Sequence, residues 1–226
     1  MEKVISPPVF NGLRVKGFFT TRAADIDTRG IPKLFDISLD TIYMPVQKHT
    51  DKVLVLDYDL EPKVADAVVT NRKDIFIGIK VADCVPVLLY DRKMHVIGAV
   101  HAGWRGTAAG ILGKTIETMM KRFYSSPSDI LVAVGPGIRW CCYEVGYEVI
   151  EAVTKGTGGR DYYKKKGEKY FIDLPTANRH QAISSGVLPE NTWVTDECTF
   201  CLPEKYYSYR FAKGTTGRQC GVIGIV

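Results

Sequence analysis

The 26 residues from 81 to 106, VADCVPVLLYDRKMHVIGAVHAGWRG, carry the reading on which the architecture turns. Residues 85–90 and 96–100 are apolar runs too short for helices and separated by polar turn residues, which predicts two buried strands. Just beyond them, Ile111, Leu112, Thr115, Ile116, Met119, Met120 and Phe123 recur at three- and four-residue intervals, the stripe of an amphipathic helix over 107–124. Ser125-Ser126-Pro127 ends it. Working outward, apolar and β-branched runs predict further strands at 17–21, 53–57, 67–70, 75–79, 130–134 and 220–226. Helical spacing returns at 143–155 and at 173–185, where Asp173 is placed to cap the N-terminus ahead of Pro175 in the first turn. The stretch 156–167, with four glycines and most of the local charge, reads as a mobile surface loop. Strands alternate with helices and neither repeat nor linker interrupts them. The expectation is one layered α/β domain of sheets and helices over residues 1–226.

At 226 residues, with 46% hydrophobic and 24% charged, the chain has a globular composition. Its uncharged apolar runs fall far below the ~18 residues a membrane span requires. The first 19 residues contain two prolines and no apolar block of a secretory leader, so a cytoplasmic protein without membrane partners is expected. The net charge of +5 suits phosphorylated small molecules and is too modest for nucleic-acid binding. The basic run Lys164 to Lys166 reads as a solvated loop. Six cysteines without a leader read as thiols, ligands or nucleophiles rather than a disulfide framework. Four histidines, His49, His95, His101 and His180, are too few for a conventional multicopper oxidase, whose centres need about ten imidazoles.

Three places break the pattern of a core. Asp83 and Cys84 sit between two apolar strands, where a buried carboxylate costs several kcal/mol unless paired. Cys84 alone would pass as a core thiol; Asp83 beside it points to a site. At His101-Ala102-Gly103-Trp104-Arg105-Gly106 a strand gives way to a helix, the usual place for a ligand, and Gly103, Arg105 and the free amides there form an anion seat. Trp104 reads as a core or rim aromatic. His49, in Gln47-Lys48-His49-Thr50, reads by itself as a surface histidine. Together His49, Cys84 and His101 offer two nitrogens and one sulfur, a zinc donor set with an open fourth position. Their spacings, 84 − 49 = 35 and 101 − 84 = 17, match no local metal motif. Cys198 and Cys201 form a pair two residues apart without a second such pair to complete a zinc ribbon, and read as structural; Cys141 and Cys142 read as packing thiols, with Glu144 able to orient a neighbour.

The runs QKHTDKV, ADAVVT, ADCVPVLLYD, GAVHAGWRGTAAGI, GPGIRWCCYEVG, YFIDLPTANRHQ, YYSYR and TGRQCGVI resemble, in order and across nearly the whole chain, the YfiH family, also called the laccase-domain or multicopper polyphenol oxidase family. The resemblance implies a layered α/β fold akin to a toxin deamidase domain, with zinc held by the His of QKH, the Cys of ADC and the His of HAGW: His49, Cys84 and His101. It implies purine nucleoside chemistry: phosphorolysis of adenosine, inosine, guanosine and methylthioadenosine, and deamination of adenosine. In that light Cys84, His101 and Asp83 are the catalytic candidates, and Arg22, Gly103 and Arg105 the candidates for holding substrate and phosphate. By the affinity order copper would enter such a site in vitro as readily as zinc, which makes copper-dependent polyphenol oxidation an alternative. A second is a Cys-His hydrolase or amidase acting on a peptidoglycan precursor, with Cys84 as nucleophile and His101 as base. A non-catalytic nucleic-acid-binding domain is disfavoured by the modest charge and by Asp83-Cys84.

Overall fold

The computed structural model describes residues 2–24, 42–159 and 161–226. Strand Val85–Asp91 lies near the middle of a six-stranded sheet, and all seven of its residues are buried. Its side chains divide by the two-residue period: Val85, Val87 and Leu89 face a helical layer, whereas Leu88 and Tyr90 face a second sheet. Burial on both faces is why the run reads as continuously apolar rather than alternating.

Across the six-stranded sheet the order is Thr192–Val194, Ile130–Val134, Val85–Asp91, Val96–Ala102, Ala67–Thr70, Val53–Val55. The outermost pair on each side is parallel and the three inner pairings are antiparallel. The second sheet runs Val4–Ile5, Val15–Thr20, Gln219–Ile225, Phe76–Val81, Ile42–Tyr43. Phe19, Ile77, Ile79 and Ile223 of this sheet interdigitate with Val68, Leu88, Ile97 and Ala133 of the first, so the sheets share one core layer. On the opposite face, Ile111, Leu112, Ile116 and Met119 of helix Ile111–Phe123 pack with Val149, Ile150 and Val153 of helix Tyr147–Thr157 and Ala177 of helix Leu174–Ser184.

The strands stand close to their expected positions, and Asp173 caps the helix as its sequence position implies, accepting from the Thr176 amide at 3.0 Å. Three expectations need correction. The helix foreseen at 107–124 is two helices, Trp104–Ala108 and Ile111–Phe123, separated at Gly110, whose φ of 76° is a left-handed value that stops the first helix. The helix foreseen from Tyr143 starts at Tyr147, because Glu144–Val145 is drawn into a strand against Tyr170 and Phe171. The stretch 156–167 is not a free loop. Its beginning finishes helix Tyr147–Thr157, with Gly158 as a left-handed cap, and its end is strand Tyr163–Lys166, hairpinned to Lys169–Ile172; Arg160 lies outside the described residues. Lys164, Lys165 and Lys166 sit on that edge strand over the rings of Trp140, Tyr170 and Phe171, and their charges guard an edge that would otherwise invite pairing.

Candidate metal centre

Sheet register brings the three foreseen donors together. Val85 pairs with Ala102 and Pro86 with His101, so Cys84, one residue outside its strand, arrives beside the turn that follows Ala102. Ala67 pairs with Val100 on the other side of the same strand, and the His101 amide donates to the Asp66 carbonyl at 2.7 Å. Asp66, His101 and Cys84 therefore stand at one end of three neighbouring strands. His49 comes from the loop ahead of Val53–Val55, which is tied to the same edge by the Val46–Val64 bridge. The donor atoms of His49, Cys84 and His101 all lie within 4.8 Å of one another, with Cys84 Sγ 3.9 Å from His49 Nε2. A tetrahedral zinc ion with ordinary Zn–N and Zn–S lengths sets that separation at about 3.6 Å. A methyl group on Gly103 would stand 3.0 Å from Cys84 Sγ and 3.2 Å from the His49 ring. Glycine here lets the backbone pass against both.

Asp66 organises this cluster, and the sequence reading passed over it in favour of Asp83. Its carboxylate is fully buried and accepts five hydrogen bonds: from the amides of Lys48, His49 and Thr50, from the Thr50 hydroxyl and from His101 Nδ1 at 2.8 Å. The amide bonds shape the loop that places His49 with a left-handed φ of 59°. The ring bond leaves Nε2 of His101 to face Cys84, the carboxylate–histidine arrangement that fixes a metal-ligating tautomer. The only sequence signal was an Asp inside the apolar run 65–69, the same anomaly that drew attention to Asp83. Asp83 orients a different part of the site. Its Oδ1 accepts from the Thr199 hydroxyl and its Oδ2 from the Arg210 amide, each at 2.7 Å, so it reaches a backbone amide but neither histidine.

The charges follow from these contacts. Burial raises the Asp66 pKa, but its hydrogen bonds from His101 and Thr50 outweigh that and hold it well below the usual carboxylate range. Burial works against charge on Cys84 and His101 as well. The two imidazoles nonetheless bring the Cys84 thiol down to about 6, and Asp66 with Cys84 brings His101 up to about 9. Without a cation, the pair near neutrality is a thiolate facing an imidazolium. A divalent metal would replace the imidazolium proton as the countercharge, so the donor set fits a zinc-type ion both in geometry and in charge.

The three donors line a cleft of about 700 Å³, together with Gln47, Lys80, Asp83, Tyr143, Tyr209, Arg210 and Arg218. Burial, and then the neighbouring Cys84, push the Tyr143 phenol up to about 12, so it stays protonated. Three foreseen substrate-binding residues are not on this wall. Arg22 is exposed, donates to the Pro203 carbonyl at 2.7 Å and lies over the Tyr207 ring. Arg105 is exposed and stacks on Trp104, and the anion seat expected at Gly103 opens a helix of only five residues behind the donors. The cationic side chains that do line the cleft among the described residues are Lys80, Arg210 and Arg218. Among the described residues none of the three is ion-paired; Arg210 and Arg218 donate to backbone carbonyls of Glu144, Thr216 and Gly217. Arg210 and Arg218 lie more than 100 residues beyond the glycine turn, and Lys80 reads as an ordinary strand-end lysine ahead of Asp83, which is why a reading of local motifs missed them. The four cysteines read separately as packing or structural thiols also meet: Cys141, Cys142, Cys198 and Cys201 form a second cluster.

Among known proteins, the family described as multi-copper polyphenol oxidoreductase laccase matches residues 27–226. A protein of Aquifex aeolicus named purine nucleoside phosphorylase is 38% identical over 166 residues, 73% of this chain and 74% of that one. A protein named adenosine deaminase RL5, from an unknown prokaryotic organism, is 33% identical over 195 residues, 80% of this chain and 74% of its own length. The crystal structure of the YfiH protein of Bacillus licheniformis superposes with a TM-score of 0.90 at 25% identity, covering 100% of this chain and 97% of that one.

Proposed function

This chain belongs to the multi-copper polyphenol oxidoreductase laccase family, the YfiH family, and from that premise we propose that it is a purine nucleoside phosphorylase that also deaminates adenosine, acting as one catalytic domain. Its substrates are purine nucleosides, adenosine, inosine, guanosine and methylthioadenosine among them, together with phosphate. The observation that carries this reading is the convergence of His49, Cys84 and His101 on the wall of a cleft that also carries three cations with no carboxylate partner among the described residues. His49 Nε2, Cys84 Sγ and His101 Nε2 would hold zinc, and a zinc ion bound there supplies Lewis-acid chemistry to the substrate.

The chain's own residues do the rest. Asp66 holds the His101 ring by Nδ1 and shapes the His49 loop, so neither donor has to be ordered when substrate arrives. Lys80, Arg210 and Arg218 offer charge-assisted donors suited to phosphate. Asp83 fixes the Arg210 backbone and so sets where that guanidinium enters the cleft. The protonated Tyr143 hydroxyl is a donor for a base or ribose oxygen. One alternative has its own support: the depressed Cys84 thiol beside the raised His101 is the ion pair a Cys-His hydrolase or amidase would use.

The test is a nucleoside panel assayed on zinc-loaded protein with and without phosphate. Base release from adenosine or inosine should require phosphate and yield ribose 1-phosphate, while conversion of adenosine to inosine should proceed without it. Phosphate-independent release of free ribose would make the protein a nucleoside hydrolase instead. Replacing Cys84 by Ser should remove the zinc held with His49 and His101 and the activity together. Activity lost with zinc fully retained, alongside turnover of a peptidoglycan amide by the unmodified protein, would favour the Cys-His alternative.

A further inference from the structure

Of the six cysteines, Cys84 belongs to the first site and Cys220 is buried in strand Gln219–Ile225. The other four converge. The Sγ atoms of Cys141, Cys142, Cys198 and Cys201 all lie within 4.8 Å of one another, with Cys201 Sγ 3.5 Å from that of Cys141 and 3.2 Å from that of Cys142. We propose that these four thiols form a second metal site, distinct from His49–Cys84–His101, which holds a single zinc ion as a closed tetrathiolate.

The spacing decides the kind of site. Four thiolates around one zinc at a Zn–S length of ~2.3 Å are separated by about 3.8 Å along each tetrahedral edge. The separations of 3.5 and 3.2 Å are about 0.3–0.6 Å short of that edge and well outside the ~2.05 Å of a disulfide, and no pair of the four exceeds 4.8 Å. An iron–sulfur cluster would place several irons and bridging sulfides among the thiolates, and four sulfurs this close leave room for one ion. Four protein sulfurs also complete the tetrahedron, which is the composition of a structural zinc site rather than a catalytic one.

The backbone holds the ligands in place. Cys141 and Cys142 sit in a turn closed by the Cys142 and Tyr143 amides donating to the Arg139 carbonyl, and Cys198 and Cys201 in a turn closed by the Leu202 amide donating to the Cys198 carbonyl. The two turns are joined by the Gly137–Cys198 bridge and by the Thr199 amide donating to the Gly137 carbonyl at 3.2 Å. Cys141 and Cys201 are exposed, so the ion can enter from solvent, its binding releasing the thiol protons there. Bound zinc would clamp segments 60 residues apart that both reach the cleft, Tyr143 on its wall and Thr199 through its hydroxyl bond to Asp83.

The experiment measures zinc per chain and thiol protection on the full-length protein purified under reducing conditions and reloaded with zinc alone. The unmodified protein should hold two equivalents. The double variant His49→Ala/His101→Ala should hold one, and in it Cys141, Cys142, Cys198 and Cys201 should resist iodoacetamide until a chelator is added. Cys201→Ser should lose one equivalent and expose the remaining thiols. Three results would overturn the proposal: no zinc in the His49→Ala/His101→Ala protein, alkylation of the four cysteines at one rate with and without chelator, or an intact mass two hydrogens short from a Cys142–Cys201 disulfide. None of these three readouts uses a cysteine variant, so a misfolded Cys201→Ser protein would not blunt the test.

Discussion

Replacing Asp66 by Asn tests whether one buried carboxylate builds the metal centre. The side chain keeps its size and loses the ability to accept on both sides. Oδ1 of Asp66 accepts from the His49 amide and His101 Nδ1; Oδ2 accepts from the amides of Lys48 and Thr50 and from the Thr50 hydroxyl. If the amide NH2 takes the Oδ2 position, two backbone donors lose their acceptor, since only the hydroxyl can turn around. If it takes the Oδ1 position, the His49 amide is orphaned and His101 must accept at Nδ1. That tautomer puts the proton on Nε2, where it blocks a metal. One or two partly buried donors left unpaired, at about 1 kcal/mol each, the low end of the cost of an orphaned donor, give a destabilisation of about 1–2 kcal/mol. For a chain this long that lowers Tm by roughly 2–8 °C. Loss of the carboxylate behind a metal-ligating histidine weakens metal binding by about 10–100-fold, or ~1.4–2.7 kcal/mol. Thermal melts of the metal-free protein and competition for zinc against a chelator measure the two effects separately. An Asp66→Asn protein that melted with the unmodified one and held zinc as tightly would refute the role assigned to Asp66.

Zinc affinity at His49, Cys84 and His101 should rise with pH, because metal binding needs a thiolate and neutral imidazoles. With Cys84 titrating at about 6 and His101 at about 9, one proton is displaced between these values, so log affinity should gain about one unit per pH unit there and level off above 9; a flat profile from 6 to 9 would contradict the ion pair. Asp66, held ionised by its donors, stabilises the fold above its unfolded pKa of about 3.8, and that stability should fade as pH drops below this value, seen as an acid transition that Asp66→Asn lacks. Gly103→Ala sets a methyl 3.0 Å from Cys84 Sγ and should lower zinc affinity while leaving the sheets intact, checked by zinc competition and circular dichroism. Arg210→Ala should cost phosphorolysis roughly 10–100-fold through loss of a charged phosphate contact, whereas Arg22→Ala, off the cleft wall, should leave it nearly unchanged; the reverse ranking, read from kcat/KM, would restore Arg22 as the phosphate ligand.

Local periodicity sufficed for what depends on neighbours in the chain. The double-sided apolar run of Val85–Asp91, the stripe of Ile111–Phe123 and the cap at Asp173 were legible because burial and capping act over a few residues. His49, Cys84 and His101 could be named as a zinc donor set from residue type, but only resemblance to a family singled them out, since their spacing matches no motif. What the tertiary structure alone decided is which distant groups meet. Gly110 splits a helix that periodicity runs together, because a left-handed φ leaves no mark on the hydrophobic stripe. Lys80, Arg210 and Arg218 reach one cleft from separate segments, while Arg22, equally basic in the sequence, is taken up by Pro203 and Tyr207. Cys142 and Cys201, 59 residues apart, touch because a loop after Ile130–Val134 and a loop after the adjacent parallel strand Thr192–Val194 leave the sheet at the same end. Asp66 and Asp83 look alike as acids in apolar runs. Strand register sets the first under the histidines and the second under Thr199 and Arg210, because pairing positions are chosen by the whole buried sheet and not by the residues beside either aspartate.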